Sequence, residues 1–261
     1  MTDRIRVGVF GAAGRMGRTV SAAIAGDAGL ELVAAIDPYA DGELVEGITV
    51  AKHADAMADA DAQVAVDFTV IEAARANAAW CAAHGVHSVI GTSGFSDEAL
   101  AELGSLFDGD GAPHCVVAAN FAVGGVLMTY LATKAAPYFD TVEIIESHHD
   151  TKKDSPSGTA IDTASRIAAA SSDWATDPTE IEHLPGARGA KGAGGIPIHA
   201  VRMRGIVATQ EVVFGATGQT LSIRHETFDR TSFMPGVLLA VKAVGEHPGL
   251  TVGLESLLGL A

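Results

Sequence analysis

Apolar residues in the first half of the chain fall into two alternating patterns. Short β-branched runs read as strands: Ile5–Phe10, Leu30–Ile36, Ala62–Thr69, His87–Ile90 and His114–Ala118. Between them lie stretches with helical spacing: from the Gly11–Gly17 turn to about Ile24, a short alanine-rich piece at 54–60, Ile71 to Ala83 with Gly85 as its stop, and a helix opened by Ser96-Asp97-Glu98. Strand and helix in regular alternation imply a parallel sheet, here of five strands, with right-handed crossovers.

The pattern changes after Phe121. A helix over 124–136 leads to the alternating segment Thr141–Glu146, a strand, and then to a polar loop. Ser157 is placed to cap a helix running to Ala170. A Gly/Pro-rich loop over 184–197 follows, then three strand-like runs, 198–204, 208–214 and 219–226. The last two read as an antiparallel pair joined at 215–218. An apolar helix over 231–244 closes the chain and is long enough to return to the first domain. The expected fold is α/β: a Rossmann-type parallel-sheet dinucleotide domain, 1–121 plus 231–261, with a second α+β domain on a mixed sheet, 122–230, inserted for substrate binding and oligomerisation.

Composition narrows the function classes. The 261 residues carry a formal net charge of −15, which argues against general nucleic-acid binding, since that needs a basic face. Cys81 and Cys115 are too few for a disulfide framework and read as small buried residues. Thr2-Asp3-Arg4 leads directly towards a strand with no signal-peptide pattern, and no apolar run is long enough to span a bilayer. The expectation is a cytoplasmic protein without membrane contact.

Two stretches carry chemistry. Gly11-Ala12-Ala13-Gly14-Arg15-Met16-Gly17 follows the first strand and opens a helix, the context that gives a glycine turn meaning for dinucleotides. The spacing is G-x-x-G-x-x-G. Asp37 lies about 20 residues further on, at the end of the second strand, where a carboxylate accepts hydrogen bonds from an adenosine ribose. Its charge should disfavour a 2′-phosphate, so NADH is expected to work, while Arg15 offers a counter-charge that leaves NADPH open. Phe68-Thr69, Gly91-Thr92-Ser93 and Ala118–Phe121 end the remaining strands on the same sheet edge. The second stretch runs from Glu146 to Thr159. A strand end, His148, His149, Lys152, Lys153 and a helix start meet there. Free N–H groups and the helix dipole favour an anion, and imidazole and ammonium groups can move protons. A metal is disfavoured, because Lys152 and Lys153 oppose a cation beside the histidines.

The segment Glu146-Ser147-His148-His149-Asp150-Thr151-Lys152-Lys153-Asp154-Ser155-Pro156-Ser157-Gly158-Thr159-Ala160, with the glycine turn, Gly91–Gly94 and Ala119-Asn120-Phe121, resembles the dihydrodipicolinate (4-hydroxy-tetrahydrodipicolinate) reductase family over essentially the whole chain. The resemblance implies NAD(P)H-dependent reduction of a cyclic unsaturated dicarboxylate, with loss of water, on the route to diaminopimelate and lysine, by a homotetramer. It implies catalytic roles for His148 and Lys152 in proton transfer. Substrate binding falls to His149, Gly158 and Thr159. Cofactor binding falls to Gly11, Ala12, Ala13, Gly14, Arg15, Met16, Asp37, Gly91, Thr92, Ser93, Ala118, Ala119, Asn120 and Phe121. The chain departs from the family's glycine-rich continuation at Met203-Arg204-Gly205 and Ala208-Thr209-Gln210. Competing readings are another two-domain NAD(P)-dependent dehydrogenase of a small carboxylate, or a non-enzymatic dinucleotide sensor. The sensor would leave the His-His-x-x-Lys loop without purpose.

Overall fold

The computed structural model describes residues 4–260; Met1–Asp3, part of the stretch on which the signal-peptide expectation rests, and Ala261 lie outside them. The chain divides into two compact units, Met1–Val123 with Arg230–Ala261, and Gly124–Asp229.

The first unit holds strands β1 (Ile5–Phe10), β2 (Leu30–Ile36), β3 (Leu44–Val45), β4 (Ile48–Ala51), β5 (Val64–Asp67), β6 (His87–Ile90), β7 (Cys115–Val117) and β13 (Leu250–Val252). Their order is β13-β7-β6-β5-β1-β2-β4-β3, all parallel except the β3–β4 hairpin. Among the described residues, eight strands replace the expected five. The additions are short: two two-to-four-residue strands around a tight turn, and one of three residues. The turn, Glu46-Gly47, has positive φ at both positions (48° and 81°), the conformation that suits a two-residue hairpin.

Helices α1 (Arg15–Gly26), α2 (Asp55–Asp59), α3 (Ile71–His84) and α4 (Asp97–Leu106) cross between the strands. The closing segment starts as a 3-10 turn over Arg230–Phe233 before α7 (Met234–Ala243), because Pro235 fixes the backbone of the first helical turn rather than continuing an earlier one. The chain leaves β1 to one side for β2, β4 and β3, then returns to its other side through β5. The reversal at the ends of β1 and β5 is where ligands bind in open sheets of this kind.

The second unit is built from α5 (Val123–Ala135, whose first residue belongs to the other unit), β8 (Thr141–His148), α6 (Gly158–Ala170), β9 (Ala190–Lys191), β10 (Pro197–Arg202), β11 (Ala208–Ala216) and β12 (Gln219–Thr227). Its sheet order is β12-β11-β8-β10-β9, with β8 parallel to β10 and antiparallel to β11. Strands β11 and β12 meet across Thr217-Gly218 alone, a tighter link than the four residues expected. Val142, Ile144, Ile198, Val212 and Phe214 face Ala160, Ala164 and Ile167 of α6 to make this unit's core. No described helix is long and apolar enough to cross a membrane.

A glycine fixes the entry to α1. A Cβ on Gly17 would overlap the Gly11 carbonyl oxygen and the Ala12 Cα, backbone atoms that cannot swing aside. Alanine in a helix gains about 1 kcal/mol over glycine, but forced overlap costs about 1–3 kcal/mol and more when backbone is the obstacle. Gly17→Ala is therefore expected to lower the unfolding free energy in urea titration, and an unchanged or higher value would contradict the close approach.

Candidate active site

β8 extends to His148, two residues beyond its expected end at Glu146, because β10 and β11 pair with it as far as Arg202 and Ala208. Alternate residues of a strand share a face, so Glu146 and His148 lie on the same side as Val142 and Ile144. Glu146 is fully buried. A buried carboxylate is tolerated only when its charge and lone pairs are answered. Arg202 Nη1 and Nη2 donate to its two oxygens at 2.8 and 2.9 Å, the Ser157 N–H donates to Oε1 at 3.0 Å, and His148 Nδ1 lies 2.7 Å from Oε2. Burial alone would push the Glu146 carboxyl up; the Arg202, His148 and Ser157 hydrogen bonds outweigh it and hold the group below the usual carboxylate range. For His148, burial lowers the pKa first, Glu146 pulls it back up, and the charges of Lys152 and Arg202 press it down, leaving a net lowering.

The loop after β8 hangs on the same network. Arg202 Nη2 also donates to the Asp154 carbonyl at 2.8 Å, and the Lys152 ammonium donates to both Asp154 carboxylate oxygens at 2.8 and 2.9 Å. The Lys152 N–H donates to the His149 carbonyl at 3.2 Å. His149 is exposed, with Nδ1 2.7 Å from Thr151 Oγ1; it follows the last strand residue, so it does not share the opposite-face constraint of a continuing strand. Ser157 then caps α6, its Oγ accepting from the Ala160 N–H at 3.2 Å. Helix geometry leaves the Gly158 and Thr159 N–H groups without intrahelical acceptors, and the first turn of α6 holds no acidic residue. Gly158 is exposed and a Cβ there would meet open space, so the turn presents bare backbone to an anion.

The stretches Met203-Arg204-Gly205 and Ala208-Thr209-Gln210 fall around this site. The Met203 N–H donates to the His148 carbonyl at 3.0 Å, and Arg204 pairs with Asp150 at 2.8 Å on the surface. Buried Gln210 donates to Thr163 Oγ1 at 2.8 Å, and that hydroxyl donates to the Thr159 carbonyl at 2.8 Å. They brace the strand end and the first turns of α6.

In the first unit, the glycine turn sits at the end of β1 beside β5. Gly11 has φ +64°, and Thr69 Cγ2 would stand 2.9 Å from a Cβ placed on it, so a side chain is excluded twice over. Gly14 is the N-cap of α1 and offers no side-chain cap; Arg15 is exposed, Met16 and Ala13 are half-buried and Ala12 is in the core. Asp37, largely buried, ends β2 and its Oδ1 accepts from the Tyr39 N–H at 3.1 Å, so it shapes its own turn as well. A Cβ on Gly91 would overlap the Phe68 ring. Thr92 is buried and donates to the Thr69 carbonyl at 2.9 Å, and Ser93 is exposed. Ala118 and Phe121 are buried, Ala119 is exposed, and Asn120 turns its Oδ1 to the Ala122 N–H at 2.9 Å. An uncapped helix start without acid in its first turn, ringed by glycines that side chains would fill, fits a dinucleotide pyrophosphate. Among the described residues, no group of three or more His, Cys, Asp or Glu is arranged to hold a metal ion.

Residues 5–121 match the family model for the dihydrodipicolinate reductase N-terminus, and residues 124–258 match that for its C-terminus. The chain belongs to the dihydrodipicolinate reductase family. A 4-hydroxy-tetrahydrodipicolinate reductase of Thermobifida fusca is 49% identical over 98% of this chain and 100% of its own. That of Corynebacterium aurimucosum is 45% identical over 98% and 99%. A solved dihydrodipicolinate reductase from Paenisporosarcina sp. TG-14, with dipicolinate bound, superposes with a TM-score of 0.87 at 38% identity, covering 97% of this chain and 99% of that one. As a member of the reductase family, the protein is an oxidoreductase that uses a pyridine nucleotide.

Sequence reading assigns no role in this reductase to Glu146 or Arg202. The signal is nonetheless in the alternation Val142-x-Ile144-x-Glu146-x-His148, which sets a carboxylate on the apolar face two residues before an imidazole. Removing one partner of a buried ion pair costs about 3–5 kcal/mol, and Arg202→Met should show a loss of that order at pH 7 by urea titration. In the native protein the depressed Glu146 pKa contributes stability above the ordinary carboxylate pKa, which fades as pH falls. Without Arg202, burial dominates and the folded state favours the protonated acid. The variant's deficit should accordingly shrink between pH 7 and pH 4, and a constant deficit would contradict this assignment.

Proposed function

We propose that the protein reduces 4-hydroxy-tetrahydrodipicolinate to tetrahydrodipicolinate with NADH or NADPH, releasing water, in diaminopimelate and lysine biosynthesis. The observation that carries this reading is the meeting, at the end of β8, of His148, the Lys152 loop and the open first turn of α6. A dicarboxylate needs donors for two anionic groups. The Gly158 and Thr159 N–H groups take one carboxylate at the helix start, and His149 assists.

A nicotinamide cofactor, when bound, would supply a hydride. Loss of the 4-hydroxyl together with a ring proton, as water, gives a conjugated imine; hydride addition to it would leave an electron pair on the ring, which a proton from His148 or Lys152 quenches. The Lys152 ammonium, held by Asp154, can stabilise that charge as it forms. The pyrophosphate would lie on Gly11, Ala12, Ala13, Gly14, Arg15 and Met16, with Asp37 at the adenosine ribose and Gly91–Ser93 and Ala118–Phe121 along the rest of the dinucleotide. An Asp37 carboxylate favours NADH, and Arg15 keeps NADPH usable. The proposal includes a cytoplasmic location. It also includes a homotetramer formed through the outer face of the second sheet, where Ile145 and Val201 are each 37% exposed; light scattering should report four chains per particle.

With substrate generated by the preceding synthase, purified protein should oxidise NADH or NADPH. Binding of NADH without oxidation of either cofactor would favour a sensor. Lys152→Ala should lower kcat by roughly 100-fold while the NADH dissociation constant stays within about twofold; an unchanged kcat removes Lys152 from the chemistry. Asp37→Ala should shift the ratio of kcat/KM values towards NADPH, and an unaltered ratio would mean that the carboxylate does not meet the ribose.

A further inference from the structure

Glu146 is the residue that the proposed proton chemistry does not use and the fold most conspicuously shelters. It has no exposure, yet it stays ionised, and one of its oxygens lies 2.7 Å from His148 Nδ1. An ionised carboxylate can only accept a hydrogen bond, so His148 Nδ1 must carry the proton in that contact. The ring's other nitrogen, Nε2, then holds the lone pair in the neutral state and the transferable proton in the charged state. The carboxylate cannot rotate away, because Arg202 clamps both oxygens at 2.8 and 2.9 Å and the Ser157 N–H holds Oε1 at 3.0 Å.

We propose that Glu146, fixed by Arg202, is a positioning residue that locks His148 in the Nδ1–H form and leaves Nε2 as its single reactive nitrogen. This rests on the reading that His148 carries the proton. The imidazolium gives its Nε2 proton to the substrate carbon that bears the electron pair, the new C–H bond forms, and the ring becomes neutral with its proton on Nδ1. That is the tautomer Glu146 already holds, so the ring neither flips nor moves a proton internally before or after transfer. The side chain keeps 19% of its surface accessible, which lets Nε2 recover a proton from solvent.

The same clamp ties the imidazole to the substrate anchor. Ser157, which donates to Glu146, is the cap of α6, and Arg202 also holds the Asp154 carbonyl next to the Lys152 partner. One carboxylate thus sets the spacing between the proton donor, the carboxylate-binding turn and the ammonium loop. The charged groups acting on His148 are Glu146 on its own strand, Arg202 on β10 and Lys152 in the loop; its β11 neighbour, Ala208, carries none.

The test reads the tautomer directly, through the ring ¹⁵N shifts of His148 in the wild-type protein at a pH where the ring is neutral. The expected spectrum has Nδ1 protonated and Nε2 bare; an Nε2–H ring overturns the proposal, and this arm needs no variant. Glu146→Gln removes the anion that raises the His148 pKa, so the alkaline fall of kcat/KM should move to lower pH, and kcat should drop roughly 100-fold with NADH affinity retained. Glu146→Gln with wild-type rate, pH profile and tautomer, alongside an impaired His148→Gln, overturns this inference alone. A fully active His148→Gln would overturn the underlying reading as well.

Discussion

The ion pair between fully buried Glu146 and partly buried Arg202 is the constraint on which the arrangement at the end of β8 rests. Taking two charges out of water costs several kcal/mol each, and their attraction offsets this only with good geometry and further hydrogen bonds. Here the geometry is bidentate, and the remaining bonds come from His148, Ser157 and the Asp154 carbonyl. A pair of apolar residues filling the same space would serve stability as well. What such residues could not do is hold an imidazole, a helix cap and a lysine loop at fixed distances from one another.

The first unit solves a different problem with less chemistry. A dinucleotide needs backbone N–H groups brought close, so the requirement falls on what is absent. Gly11, Gly17 and Gly91 stand where a Cβ would strike Thr69, backbone or the Phe68 ring. Asp67, at the end of β5, reinforces the edge by accepting from the Thr69 N–H and hydroxyl and from Asn77 at 2.6–2.7 Å. Glycine turns and an aspartate whose carboxylate is fully engaged give a rigid rim at the topological reversal of the sheet.

Much of this was legible in the chain because each long element carries its own period. Ile5–Phe10 and the helix after Gly14 change period at the glycines, and the Ser157 cap marks the start of α6. The losses have equally local causes. Leu44–Val45, Ile48–Ala51 and Leu250–Val252 are too short to show a period, and they are strands only because neighbours pair with them. Ser147 and His148 look like loop residues, but two flanking strands extend β8 across them. Arg202 lies 56 positions from Glu146, so their pairing depends on the β8–β10 register, which hydropathy does not report. The carboxylate itself was visible as a misplaced polar residue on an apolar face.

Reduction of the proposed substrate requires a dicarboxylate bound beside His148 at the first turn of α6. That placement is tested most directly by titrating pyridine-2,6-dicarboxylate into ¹⁵N-labelled protein with NADH present and following backbone amide and histidine ring resonances. The Gly158 and Thr159 amides and the His148 ring should shift together and saturate at one common ligand concentration. Saturable binding that leaves those amides and that ring unmoved would place the dicarboxylate elsewhere.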